Sequence, residues 1–249
     1  MLRVSILLFL VLARVAAARE FHICVDANDW SPYSYADHEG TLQVLVRMAA
    51  HVQGDRVRFT ALPWRRCEAA VERGSLDAIL GVPPAGLARF AYPKAGGQPD
   101  PLRSIATTDL VLLRRAESAV DWDGRHLTGL QQRVVFVQGY EEIRFRLAEL
   151  GIPGAEDYRN DEQNVKAMIA GRANVMATYA DEARHLIADP RFTGRIEILA
   201  PPLGRYDYYL AFAPATYAIA APEVERLWNG IVRIRDTPEY RDAINDMAQ

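Results

Sequence analysis

The stretch Val71-Glu-Arg-Gly-Ser-Leu-Asp-Ala-Ile-Leu80 reads as the end of a helix, a glycine stop, a polar link and a short apolar strand. The same order returns at Met168-Ile-Ala-Gly-Arg-Ala-Asn-Val-Met-Ala177. Glycine ends helices well because it enters the left-handed region without a side-chain penalty. A helix-to-strand unit that recurs in both halves of the chain points to two small α/β lobes rather than one doubly wound sheet. Two lobes enclose a cleft, and a cleft is the ordinary place for a ligand.

Outward from the first copy, Phe21–Val25 reads as a buried strand and Thr41–Val52 as a helix with apolar residues at Leu42, Leu45, Val46 and Ala49. Arg56–Ala61 is a second strand, Trp64–Glu72 a second helix behind Pro63, and Asp77–Gly81 a third strand. This alternation predicts a mostly parallel sheet flanked by helices. Residues 83–101 are rich in Pro and Gly and read as irregular. A strand at Ile105–Leu113 leads through a polar stretch, with Trp122 as its anchor, into the second series. That series has strands at Arg133–Val137, Val175–Tyr179, Ile196–Leu199 and Tyr206–Ala213. Its helices are Glu142–Leu150, Glu162–Ala170 (capped by Asp161) and Asp181–Ala188, and Glu223–Ile234 and Pro238–Met247 close the chain.

The first eighteen residues have the form of a secretory signal peptide. Arg3 precedes an apolar run from Val4 to Leu12, and small residues, Ala16 to Ala18, mark cleavage after Ala18. The run is too short for a spanning helix of about 20 residues. The expected division is 1–18 signal peptide, 19–107 with 211–249 as lobe 1, and 108–210 as hinge strands and lobe 2. The formal charge of −3 falls to about −5 once Arg3 and Arg14 are lost, and no basic patch suggests nucleic acid. Cys24 and Cys67 permit one disulfide in an oxidising compartment, or two buried thiols.

Candidate site residues follow the strand ends, where parallel α/β layers bind ligands. Asp26, Asp29, Trp30 and Tyr33 follow the first strand: a carboxylate there can pair with an amine, and the rings can stack on a ligand. Trp64 opens the second helix, and Gly81 closes the third strand, where a backbone can approach a ligand closely. Arg89, in the irregular segment, is of the type that clamps a carboxylate with two parallel hydrogen bonds. Gln138, Gly139 and Tyr140 lie between a strand and a helix, where free N–H groups favour an anion, and Tyr179 ends another strand. HExxH, GxSxG, GxGxxG and a Walker lysine loop are all missing, and the five histidines form no ligand pair by spacing. The residues therefore nominate no catalytic group, metal or cofactor.

Taken in order, several motifs resemble the family 3 extracellular solute-binding proteins, periplasmic proteins of the type II two-lobe fold. They are Asp26 through Ser31-Pro-Tyr33, Leu62-Pro-Trp-Arg-Arg-Cys67, Glu72-Arg-Gly-Ser-Leu-Asp-Ala-Ile-Leu-Gly81, Phe90-Ala-Tyr-Pro93, Val137-Gln-Gly-Tyr140 and Ala170-Gly-Arg-Ala-Asn-Val175. The resemblance runs from Phe21 to the C-terminus. It implies two mostly parallel sheets flanked by helices and joined by crossover strands, with hinges near Thr107–Leu113 and Leu203–Leu210. It also implies a monomer in the periplasm that captures a small polar solute, an amino acid or a related compound, and passes it to an ABC permease in the inner membrane. The alternatives are a sensor or accessory binding module without an importer, and a dehydratase-like enzyme on the same fold. By the same resemblance, Asp26 or Asp29 with Tyr33 supplies the acid and ring of the first loop, Trp64 the second-helix ring, and Gly81 with Val82 the third-strand contact. Gln138–Tyr140 would be the anion loop, and an acid near Tyr179 or Asp181 the grip on an amine. The chain departs from the family pattern at Gly40-Thr-Leu-Gln-Val44, which lacks the usual Asp. It departs again at Pro83-Pro-Ala-Gly-Leu-Ala-Arg89, where the arginine is displaced by a few residues, and at Gly171-Arg-Ala-Asn174.

Overall fold

A computed structural model of the protein describes residues 18–247. Most of the signal-peptide reading therefore lies outside the described residues. Eight strands form a mixed sheet flanked by helices. The strands are β1 (Glu20–Asp26), β2 (Arg56–Leu62), β3 (Ala78–Val82), β4 (Ala106–Arg115), β5 (Val134–Val137), β6 (Gly154–Tyr158), β7 (Val175–Tyr179) and β8 (Ile196–Phe212). The helices are α1 (Thr41–Val52), α2 (Trp64–Glu72), α3 (Glu141–Glu149), α4 (Asp161–Ile169), α5 (Ala180–Ala188), α6 (Pro214–Arg235) and α7 (Pro238–Asp246).

The spatial order is β6-β5-β7-β4-β8-β3-β1-β2. It contains the same arrangement twice. β2, β1 and β3 run parallel and are bordered by antiparallel β8, while β6, β5 and β7 run parallel and are bordered by antiparallel β4. β4 and β8 pair with each other, so one hydrogen-bonded ladder links the two parallel sets. β8 changes partner along its length: residues up to Tyr208 pair with β4, and Tyr209–Phe212 pair with β3. The repeated motif that opens the sequence reading occupies equivalent places in the two sets. Its glycines, Gly74 and Gly171, stand at φ 70° and 75°, ahead of β3 and β7 respectively.

β3, β5 and β7 are buried along their whole length, as expected of parallel strands covered on both faces. α1 and α6 pack together over the first set, with Phe21, Leu45, Phe212 and Trp228 in the core. The Trp228 indole N–H donates to the Leu210 carbonyl (2.8 Å), so its burial leaves no polar atom unpaired. Trp122 is the anchor that its place in a polar stretch suggests: it is buried, and its N–H donates to the Pro201 carbonyl (2.9 Å). Cys24 in β1 and Cys67 in α2 form a disulfide, with Cα atoms 5.5 Å apart, which decides between the two cysteine readings.

The structure corrects the sequence reading in four places. β6 is an added strand, which the sequence conceals because Gly154-Ala-Glu-Asp-Tyr158 is a half-polar edge segment without alternation. The strands expected at Ile196–Leu199 and Tyr206–Ala213 are one, which passes Pro201 and Pro202 with a register shift between Leu199 and Gly204. Proline lacks the N–H that a ladder needs, so the sequence looks broken where the strand only slips. Asp161 is not the cap of α4. Asn160 is, accepting from the Gln163 amide (2.9 Å), and Asp161 turns inward and is buried. A helical segment from Pro214 precedes the expected Glu223–Ile234 helix, and α6 joins the two across non-helical backbone at Ala220, just before Pro222.

Candidate functional site

The C-terminal ends of all six parallel strands converge on one groove. From the first set come Asp26, Asn28 and Trp30 after β1, Pro63, Trp64 and Arg65 after β2, and Leu80, Gly81 and Pro83 at β3. From the second set come Gln138, Gly139 and Tyr140 after β5, Glu156 and Arg159 at β6, and Tyr179 at the end of β7. The groove has an outer part of about 630 Å3 and a narrow inner chamber of about 40 Å3; Asn28, Trp64 and Gly139 border both. Gly139 has φ 94°, and a Cβ there would lie 3.9 Å from the Trp64 Cβ, so the two strand sets come into near contact at this point.

Aromatic rings form the inner wall. Trp30 packs against Tyr33, Tyr179 and Tyr208 with centroids 4.6, 5.4 and 4.9 Å apart, and Tyr140 meets Tyr179 at 4.8 Å. Gly81 makes room for Trp30. It has φ 86°, and a Cβ there would stand 2.8 Å from the indole ring. The Trp30 indole N–H is buried without a hydrogen-bond partner in the chain. Of the tyrosines late in the sequence, Tyr208 joins this wall and Tyr209 turns to the core beside the disulfide.

Of the acids in and behind the chamber, Asp26 is half-buried and Glu142 and Asp161 are buried. The Asp26 carboxylate accepts from the Asn28 amide (3.1 Å), yet burial outweighs that bond and pushes its pKa up to about 6. Glu142, in the first turn of α3, is raised by burial against the pull of the Tyr179 and Tyr208 hydroxyls, which both donate to its Oε1. Behind Tyr140, whose hydroxyl donates to Asp161 (3.4 Å), burial and the neighbouring Glu182 charge raise Asp161 to about 7. Burial likewise holds Tyr140, Tyr179 and Tyr208 in their neutral forms.

Asp26, Trp30, Trp64, Gly81, Gln138, Gly139, Tyr140 and Tyr179 are thus brought together. Tyr33 stands behind Trp30 and donates to Asp181. Asp29 is exposed, accepts from the Ala36 amide (3.3 Å) and does not line the groove. Arg89 is not brought to the site either. Its guanidinium is ion-paired with Glu68 and Glu72 of α2. The anion-loop reading also meets an obstacle, because all three amides are already used. Gln138 N donates to the Tyr158 carbonyl, Gly139 N to Glu156 Oε2 and Tyr140 N to the Val137 carbonyl. Asp181 is similarly occupied, by the Tyr33 and Thr108 hydroxyls (2.6 and 3.1 Å) and by Arg184. Sequence reasoning missed Glu142, Glu156 and Arg159. Only Glu142 carried a signal, in that its helix begins directly after a strand-end loop.

No group of three or more metal-ligating side chains stands together among the described residues. No family profile matches the sequence, and no curated protein sequence matches it. Solved structures do match. A histidine kinase sensor domain similar to periplasmic binding proteins superposes with TM-score 0.69 at 19% identity, over 92% of this chain and 96% of that one. The GluR0 ligand-binding core from Nostoc punctiforme, solved with L-glutamate, gives 0.67 at 14%, over 89% and 96%. An ABC uptake transporter substrate-binding protein from Streptococcus pneumoniae, with bound histidine, gives 0.66 at 12%, over 87% of each chain. The chain has the type II periplasmic-binding-protein fold.

Proposed function

We propose that the protein is an extracytoplasmic solute-binding protein that captures a small polar solute between two lobes and serves an ABC-type importer. The observation that carries this reading is the convergence of six strand ends from two equivalent strand sets on one aromatic groove with buried acids. Lobe 1 would be 19–107 with 211–249 and lobe 2 would be 108–210, with β4 and β8 as the paired crossovers. The signal-peptide reading of residues 1–18 would place the mature monomer in the periplasm. Capture shifts a population from open to closed forms, and closure excludes water and strengthens each polar contact. No bond chemistry is needed, so the protein is read as a binder and not as an enzyme.

Within this reading Asp26, Trp64, Gly81, Tyr140 and Tyr179 contact the solute, and Trp30 and Tyr33 shape the pocket. A screen of the purified mature protein for thermal stabilisation, with calorimetry on each hit, tests capture. One or more small solutes should raise Tm, and Trp64→Ala should weaken their binding while the protein stays folded. Failure of every solute class to stabilise the protein overturns the reading. Loss of solute uptake in a deletion strain tests the importer partnership. Retained uptake would favour the sensor reading, which has a structural parallel in the histidine kinase sensor domain.

A further inference from the structure

We propose that the solute is an organic amine whose ammonium head enters the inner chamber without a neighbouring carboxylate; this rests on the solute-capture reading above. Two carboxyl groups, Asp26 and Glu142, line the chamber, and no Lys, Arg or His does so among the described residues. Trp30, Trp64, Tyr140 and Tyr179 supply four aromatic rings to the lining, and aromatic rings attract a cation through their quadrupoles. The chamber's volume, about 40 Å3, is a few times the roughly 10–15 Å3 that a cavity needs to hold one water, and small beside the outer groove. It fits a head group, and the rest of the molecule would lie in the outer groove.

A carboxylate beside that head group would find no cation among the residues that line the chamber. Arg89 is held by Glu68 and Glu72, and Arg184 lies on Asp181. The amides of Gln138, Gly139 and Tyr140 already donate within the chain. The Trp30 N–H, the Asn28 side-chain amide and the Ser34 hydroxyl are the donors left, all three neutral, and neutral donors do not offset two carboxyl groups as a cation would. Arg65 and Arg159 line the outer groove and not the chamber, so an anionic group is tolerated only at the far end of an elongated solute. Ammonium entry also supplies the charge that Asp26 lacks as a partner, and so favours its ionised form.

The test compares matched pairs by calorimetry on the wild-type protein: arginine with agmatine, ornithine with putrescine, histidine with histamine. At least one decarboxylated amine should bind about tenfold or more tighter than its parent amino acid, and Asp26→Asn should weaken it by a similar factor, near 1.4 kcal/mol. The substituted side chain keeps a carbonyl oxygen to accept from the Asn28 amide, and circular dichroism checks that the variant folds. Parent amino acids that bind tighter than their amines, or a dicarboxylate that binds while no amine does, overturn the proposal and leave solute capture standing. Silence from every class overturns capture itself.

Discussion

The Tyr33 hydroxyl donates to the Asp181 carboxylate across 2.6 Å, joining residues 148 positions apart, one in the loop after β1 and the other in the first turn of α5. This bond ties the two strand sets at the edge of the groove, and Thr108 of β4 reinforces it at 3.1 Å. Tyr33→Phe keeps the ring packed on Trp30 and removes only the latch. The unliganded variant should favour the open form by about 1 kcal/mol. Small-angle scattering should show a larger radius of gyration than for the wild type, and an unchanged radius would count against the latch.

Burial gives Asp26 a folded pKa of about 6, above the ordinary 3.8. A raised carboxyl binds its proton more tightly in the folded state, so stability falls as pH rises from about 4 through 6 and then levels off. Asp26→Asn, without ligand, should therefore be more stable than wild type at pH 8 by up to about 3 kcal/mol, with the advantage gone near pH 4. Urea denaturation at the two pH values measures the difference. A pH-independent gap would show that the carboxylate charge is not the cause.

Gly81 and Gly139 both stand at positive φ, but their surroundings differ. A Cβ at 81 meets the Trp30 ring at 2.8 Å, whereas the nearest atom to a Cβ at 139 is 3.9 Å away. Gly81→Ala should cost about 3 kcal/mol and displace the indole, and Gly139→Ala only about 1 kcal/mol from the backbone alone. Chemical denaturation ranks the two, with Trp fluorescence reporting displacement only in the first.

The Cys24–Cys67 disulfide closes a loop with a sequence separation of 43. Its removal in the Cys24→Ser/Cys67→Ser double variant should cost about 2–4 kcal/mol. The variant should still fold, because β1 keeps β2 and β3 on its two sides. Thermal unfolding with and without reductant checks this; equal Tm values in the two conditions would argue against the bond.

The fold is most legible where periodicity and stop signals are strong. The readings of α1 and α2 match their observed bounds from end to end, and the two glycine stops fall before equivalent strands. β6 and the continuity of β8 stay hidden because edge polarity and a Pro-Pro pair imitate loop chemistry. At the groove, residues after strand ends are legible by position. Glu142 is legible only in its place, at the start of a helix that follows a strand-end loop; nothing in a helical Glu announces that two tyrosines will bury it. Arg89 misleads because its partners are set by tertiary packing, although Glu68 and Glu72, four apart on one helix face, are a readable acidic pair.

β3 borders Tyr209–Phe212, and α1 packs on α6, so the strand set of β1, β2 and β3 is completed by residues from 209 onward. The intervening half, by contrast, draws nearly all of its strands from one uninterrupted span. A polypeptide emerging amino end first must therefore leave its first strand set with an uncovered edge and an unfilled flank until the residues past 209 have emerged. The middle portion can mature meanwhile, and nascent chains stalled short of residue 209 should be the ones that chaperones hold and proteases cut.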